Sequence, residues 1–465
     1  MKKRALMLTF VAFLLMFNAC NQDSANQQIL RDLNANPKQY FGKVMNALKS
    51  TTEMNNSGKF FAEPIPQIIE LLGSENAKIR IAAFETLKTY GEIIIPDLAL
   101  FLDSDNDYIK LGALELLISI GKPALPAMKS LLKTGDDFTK ISVIEVLGSI
   151  GDKSVIVDLA KNFDTKNDNL MIASAKALGK LKASQVSGKL IELLKSDNYL
   201  LRIAAVQSLQ EIGDPSLADA IIDYIKPDDD SDYLLSALRT IRSIGKGRFK
   251  TTWAMRVLNP IFTYSEVDIR VRAEAGHLMK LCGYNRGIEA LCADVLDGFY
   301  FDHPIFIAEI LKVFKDVGKD ATISKTMKRL VKVYKNDHIW VMAYGVLYSY
   351  GETAYKVNII KLLGSKDLKA VELALNYSKE WKFIQACDSL PKLVTLPIFS
   401  VIFAALEAGS EIQCDSLIPY MESVFGSEEY AVELKEKVLI EVIKYPRDIA
   451  KPILEKAMND ADPYI

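Results

Sequence analysis

The chain has 465 residues, 49% of them hydrophobic and 25% charged, the usage of an ordinary folded protein rather than of a disordered or collagen-like one. Lys and Arg total 57 against 59 Asp and Glu, a net charge of −2, so nothing in the balance points to nucleic-acid binding as the main task. Only three histidines and five cysteines are present, which leaves few candidates for metal or nucleophilic chemistry.

Residues 1–19 read as an export signal. Lys2, Lys3 and Arg4 form a basic start, and Ala5 to Phe17 form an apolar run of thirteen residues, too short to span a bilayer. Phe17-Asn18-Ala19-Cys20 resembles the lipobox of a bacterial lipoprotein, with a small residue before the cut and Phe17 in place of the usual leucine. That resemblance implies lipidation at Cys20, hence a membrane anchor in the cell envelope, and Asn21 in place of aspartate leans toward the outer membrane. The alternative is an ordinary secretory signal that happens to contain a cysteine. A chain starting at Cys20 carries 54 basic and 59 acidic residues, a net −5.

Residues 20–35 form a polar tether. Residues 36–63 hold a capping helix, with Phe41, Val44, Met45 and Leu48 on one face, followed by a loop from Thr51 to Lys59. From there the chain repeats. Pro66, Pro96 and Pro126 are thirty residues apart, as are Arg80, Lys110 and Lys140, Leu87, Leu117 and Leu147, and Gly91, Gly121 and Gly151. A fixed period of this size signals stacked units. Within one unit, Pro66 opens a helix, Gly73-Ser74-Glu75-Asn76 breaks it and supplies capping oxygens, a second apolar stripe runs from Ile79 to Leu87, and Gly91 ends it. The glycine column continues as Gly213, Gly245, Gly283, Gly318 and Gly351, with Lys182 in the slot between Gly151 and Gly213. Eight residues before each slot a mostly small residue recurs, from Ala83, Ala113 and Val143 to Ala343. Residues 64–351 thus hold nine units, and residues 352–465 hold degenerate helical repeats and a C-terminal cap, with no strand alternation long enough for a sheet.

Lys78-Ile79-Arg80-Ile81-Ala82-Ala83 and Leu200-Leu201-Arg202-Ile203-Ala204-Ala205, each followed by a leucine and a glycine, resemble the short HEAT-like repeats named after phycobilisome lyases. The resemblance implies an all-α solenoid, a right-handed superhelix of antiparallel helix pairs whose second helices line the concave face. It implies a scaffold or binding surface more than an activity, although some relatives attach bilins to cysteines, and the export signal argues against that chemistry.

Iron hydroxylases built from similar repeats use paired His-Glu motifs, and His277, His303 and His338 stand in none. His277, Cys282, Cys292 and His303 match no common zinc spacing, and Cys282 takes the apolar position held elsewhere by Ile120 and Ile150, so it reads as a small core residue. Cys387 and Cys414 occupy equivalent positions twenty-seven residues apart, where core packing is expected and a disulfide is the alternative. No catalytic, cofactor or metal site is expected. The recurring Arg80, Lys110, Lys140, Arg202 and Arg272 read as a structural ladder paired with acids such as Asp107 and Asp136, with anion binding as the alternative. A solvent-facing column runs Glu85, Glu115, Glu145, Lys176, Gln207, Arg239, His277 and Lys312. It yields a candidate partner-binding groove, acidic at first and basic around Arg239, Arg242, Lys280, Lys312 and Lys315, extended by the aromatic rings of Tyr344 and Tyr348. The alternative is a solvated helix face. The expected function is a lipid-anchored scaffold for an unidentified protein partner; a stability factor of an envelope complex is the other candidate.

Overall fold

The computed structural model describes residues 37–57, 65–74, 76–264, 266–425 and 430–459. The export signal, Cys20 and the tether lie outside them. Every regular element among the described residues is helical. The helices form two compact units. One takes the described residues up to Ile225 with Asp232–Arg248, and the other takes Lys226–Ser231 and the described residues from Phe249 onward. No single described helix is long and apolar enough to cross a membrane.

In the first unit a helix at Pro37–Asn56 precedes helix pairs of constant design. The segment expected as a loop from Thr51 is helical to Asn56. Thr51 and Thr52 turn their hydroxyls back onto the carbonyls of Ala47 and Leu48, both at 3.0 Å, so neither interrupts the helix. A pair then consists of a short first helix, often entered through a 3-10 turn and carrying proline at its start, and a longer second helix. Leu125–Thr134 with Asp137–Ile150 is one example. The second helices begin on Asn or Asp whose side chain accepts backbone N–H groups: Asn76, Asn106, Asp136, Asn167 and Asn198. Two of these caps also reach back one repeat, Asn167 donating to Asp137 at 2.7 Å and Asn198 to Asp168 at 2.6 Å.

The second helices end on the left-handed position that the glycine spacing predicts, with positive φ at Gly91, Gly121, Gly151 and Gly213. Lys182 takes the same conformation at φ 51°. The register slips once. Gly245 still donates to Ile241 O at 2.8 Å, and Gly247 carries the positive φ of 80°.

Leu87, Leu117, Leu147, Leu178 and Leu209 are fully buried one turn before these slots, each contributing about 1.5–3 kcal/mol by leaving water. The small-residue column is fully buried as well, from Ala83 and Ala113 to Ala205 and Ala237. Adjacent second helices touch at Gly148 and Gly179: an added Cβ there would stand 2.6 Å from Ala177 Cβ and 2.8 Å from Ser208 Cα. Buried hydroxyls bridge neighbours, Ser142 donating to Leu102 O at 2.8 Å and Ser208 to Ala175 O at 2.7 Å.

The second unit repeats the plan. Its first helix passes through a π turn at Ala254–Leu258 before Pro260. Left-handed glycines recur at Gly283, Gly318 and Gly351. Beyond Gly351, where the glycine signal stops, Lys356–Lys361 with Leu368–Glu380, Leu390–Leu393 with Phe399–Ile412, and Ile418–Val424 with Val432–Val442 keep the same arrangement before a last helix, Arg447–Met458. Lys382 (φ 52°) and Gln413 (φ 61°) fill the glycine slot there, and Ala374 and Ala405, fully buried, fill the small-residue slot.

Candidate functional site

The second helices of the first unit present one solvent face whose composition repeats with the fold. Glu85, Glu115, Glu145, Lys176 and Gln207 are all exposed there. One turn earlier on each helix lies an apolar residue: Ile81 and Leu111, 62% and 55% exposed, then Ile141, Ile172 and Ile203, half-buried. A further turn back stand Tyr108, Phe138 and Leu200, also exposed. Spacings of three and four residues put each set on one side of its helix. Because consecutive second helices pack side by side, the sets align into a ladder. Ile141, Glu145, Ile172 and Lys176 line one groove of about 380 Å³ between two of these helices. Glu85, Glu115 and Glu145 have no ion-pair partner among the described residues.

Sequence reasoning found the acidic column and missed the apolar one beside it. The signal was present in the same thirty-residue period, ten residues before each glycine slot, but an isoleucine next to a core stripe reads as core until its exposure is known. His277, expected in the outward column, is instead buried at 3% exposure, because its helix, Ile269–Leu281, is covered on more than one side. The basic ladder makes structural contacts, through an acid at Arg272, which pairs with Asp294 at 2.9 Å, and through a carbonyl and aromatic rings at Arg80 and Arg202. Arg80 donates to Ser74 O at 2.7 Å and lies 4.2 Å from the Tyr108 ring centroid, and Arg202 lies 4.0 Å from that of Tyr233. Asp136 serves as a helix cap for Thr139 N.

The candidate partner-binding residues divide between the units. Arg239 and Arg242 lie on Ser231–Ile244 of the first unit, Arg239 exposed and Arg242 half-buried. In the second unit Lys280 pairs with Asp320, Lys312 with Glu309 at 2.6 Å and Lys315 with Glu380 at 3.0 Å. Lys315 also stands 4.8 Å from the ring centroid of Tyr377 and 5.1 Å from that of Trp381. Tyr348 packs on Trp381 at 4.7 Å and on Phe383 at 5.0 Å, so Lys315 and Tyr348 meet in one aromatic cluster. Tyr344 stacks on Tyr355 instead.

Cys387 and Cys414 are joined in a disulfide, with 5.4 Å between their Cα atoms, which corrects the expectation of plain core packing. Each sits at the entry to the first helix of its pair, and stacking brings those entries together. Cys282 and Cys292 are free and buried, and burial pushes both thiols up to about 11, away from nucleophilic use at neutral pH. No group of three or more His, Cys, Asp or Glu among the described residues gathers in a metal-binding arrangement.

Fold and surface together define an all-α solenoid built as a helical scaffold. Residues 95–179 and 166–242 match the family model for HEAT repeats, so this stretch of the chain is made of HEAT repeats. Among solved structures, importin beta in a polyethylene glycol condition is similar at 11% identity, covering 98% of this chain and 77% of that one, with a TM-score of 0.48. The complex of CpcE and CpcF of phycocyanin lyase from Nostoc sp. PCC7120 is similar at 21% identity over 47% of this chain and 88% of that one, with a TM-score of 0.26. No curated protein matches the sequence.

Proposed function

We propose that this protein is an exported, lipid-anchored HEAT-repeat scaffold that holds a protein partner on the face of its second helices. The observation that carries this reading is the apolar column Ile81, Leu111, Ile141, Ile172 and Ile203, repeated at one solvent-facing position in consecutive repeats. Single exposed apolar residues are ordinary, but an aligned series forms a patch of the kind that meets partners. The exposed apolar side chains on the first-helix side of these repeats do not align in this way. Leu100 and Val157, on first helices, have Ser130 and Pro126 at the equivalent positions of a neighbouring repeat.

The Cys387–Cys414 disulfide supports an oxidising compartment, and the basic start, short apolar run and Cys20 support export with lipidation there. The anchor would hold the scaffold at the envelope membrane, with Asn21 favouring the outer one. A photo-crosslinking residue at Leu111 or Ile141 should then give the same discrete protein adduct in cells. The same residue at Leu100 or Val157 should give none. Equal adducts from both sides, or none from either, would end the binding-face assignment. Palmitate labelling of the wild type and its loss in Cys20→Ala checks the anchor separately.

A further inference from the structure

Resting on that reading, we infer that the first unit's second-helix face takes an extended, basic protein segment with an apolar side chain at every third residue. The occupant follows from the pattern of charge and spacing on the face. Its apolar rungs are bordered by Glu85, Glu115 and Glu145, exposed carboxylates with no ion-pair partner among the described residues. A second acidic border stands at the helix starts. Asp107 is exposed there, while Asp137 and Asp168 accept from the next repeat's cap. Cations also border the face: Lys78, Arg80 (over Tyr108) and the exposed Lys88 stand on the helix of Glu85, and Lys176 and Lys180 lie across the groove from Glu145. Between them the exposed Glu115 and Glu145 favour positive charge, and the changes of sign at Lys88 and Lys176 bound that stretch.

Conformation follows from distance. Packed helices stand about 8–10 Å apart, so successive rungs recur at that interval. A polyproline-type extended chain rises about 3.1 Å per residue and turns once every three residues, so residues i, i+3 and i+6 share one face about 9 Å apart. Each apolar side chain can then enter one inter-helix groove, of which the one lined by Ile141 and Ile172 is open at about 380 Å³. The two residues between carry lysine or arginine to the glutamates. A partner helix laid across the rungs, rising 1.5 Å per residue, would return a side chain to the face only about every six or seven residues and leave most rungs empty.

The test uses the full chain and a fluorescent twelve-residue peptide with leucine at every third position and lysine elsewhere. Two control peptides replace lysine by glutamate, or move leucine to every second position. Anisotropy at low salt should show the first peptide binding at least about tenfold more tightly than either control. Glu115→Lys with Glu145→Lys should weaken it about tenfold or more, and Lys176→Glu should tighten it, with far-UV circular dichroism unchanged in every variant. Equal binding of the glutamate peptide, or no response to the double charge reversal, overturns the inference. If that happens while the Ile141 crosslink still forms, only the partner chemistry is wrong. If the crosslink also fails, the binding-face reading falls with it.

Discussion

Three residues hold a left-handed conformation without being glycine, and they do so for different returns. Lys182 and Lys382 are exposed, and among the described residues no side-chain hydrogen bond or ion pair of theirs repays the strain at φ 51° and 52°. Gln413 at φ 61° donates its Nε2 to Ser410 O at 2.5 Å and to Lys444 O at 3.1 Å, tying two second helices together. A side chain in this region costs about 1–2 kcal/mol, against about 0.5–1 kcal/mol of chain entropy for glycine. Lys182→Gly and Lys382→Gly should therefore each stabilise the protein by about 0.5–1 kcal/mol in urea unfolding, whereas Gln413→Gly should be neutral or destabilising. An equal gain at all three would show that the Gln413 bonds contribute nothing. The slot was legible at Lys182 because glycine columns flank it on both sides. It was not legible at Lys382 and Gln413, where no later glycine closes the series, although Ala374 and Ala405 kept the register in view. Gly245 was mistaken for Gly247 because the pattern records a glycine after Ile244 and not which of two glycines ends the hydrogen bonding.

Elements are joined by polar groups whose identity periodicity does not predict. The last second helices of the second unit share an ionic network. Lys379 on Leu368–Glu380 meets Glu407 on Phe399–Ile412 at 2.9 Å, and Lys437 on Val432–Val442 meets Glu407 at 2.6 Å and Glu441 at 3.0 Å. Glu441, almost fully buried, also accepts from the Ser410 hydroxyl and pairs with Lys444. The Lys437 and Lys379 ammonium groups hold the Glu407 carboxyl down at about 2. A depressed folded value stabilises the native state above the unfolded value near 4.5, and that contribution is lost as the pH falls toward 2. Glu407 is about a third exposed, so after solvent screening the contribution is about 1 kcal/mol. Tryptophan-monitored urea midpoints should therefore fall less between pH 7 and pH 3 in Glu407→Gln than in the wild type. Parallel slopes would remove Glu407 from the account of acid sensitivity. The same limit explains why the exposed apolar ladder escaped the sequence: helix phase gives the order of side chains around an axis, while burial depends on which neighbour arrives.

At the scale of the whole chain, a stack of repeats has no single core, and its stability is a sum over neighbouring pairs. A local staple should therefore act locally. The Cys387–Cys414 disulfide closes a loop of twenty-seven residues well inside the second unit, and its loss should cost about 2–4 kcal/mol there. The protein carries its own reporter for this. Trp253, Trp340 and Trp381 all lie in the second unit, so tryptophan fluorescence follows that unit alone, whereas far-UV circular dichroism follows helices in both. In Cys387→Ser with Cys414→Ser, the fluorescence midpoint in urea should move to lower concentration. The circular dichroism curve should split, its later phase staying where the first unit unfolds in the oxidised wild type. The two cysteines must change together, since a single serine leaves a free thiol open to intermolecular pairing. If both signals shift as one transition, the units unfold as a single cooperative block, and the sum over neighbouring pairs fails as a description of this protein.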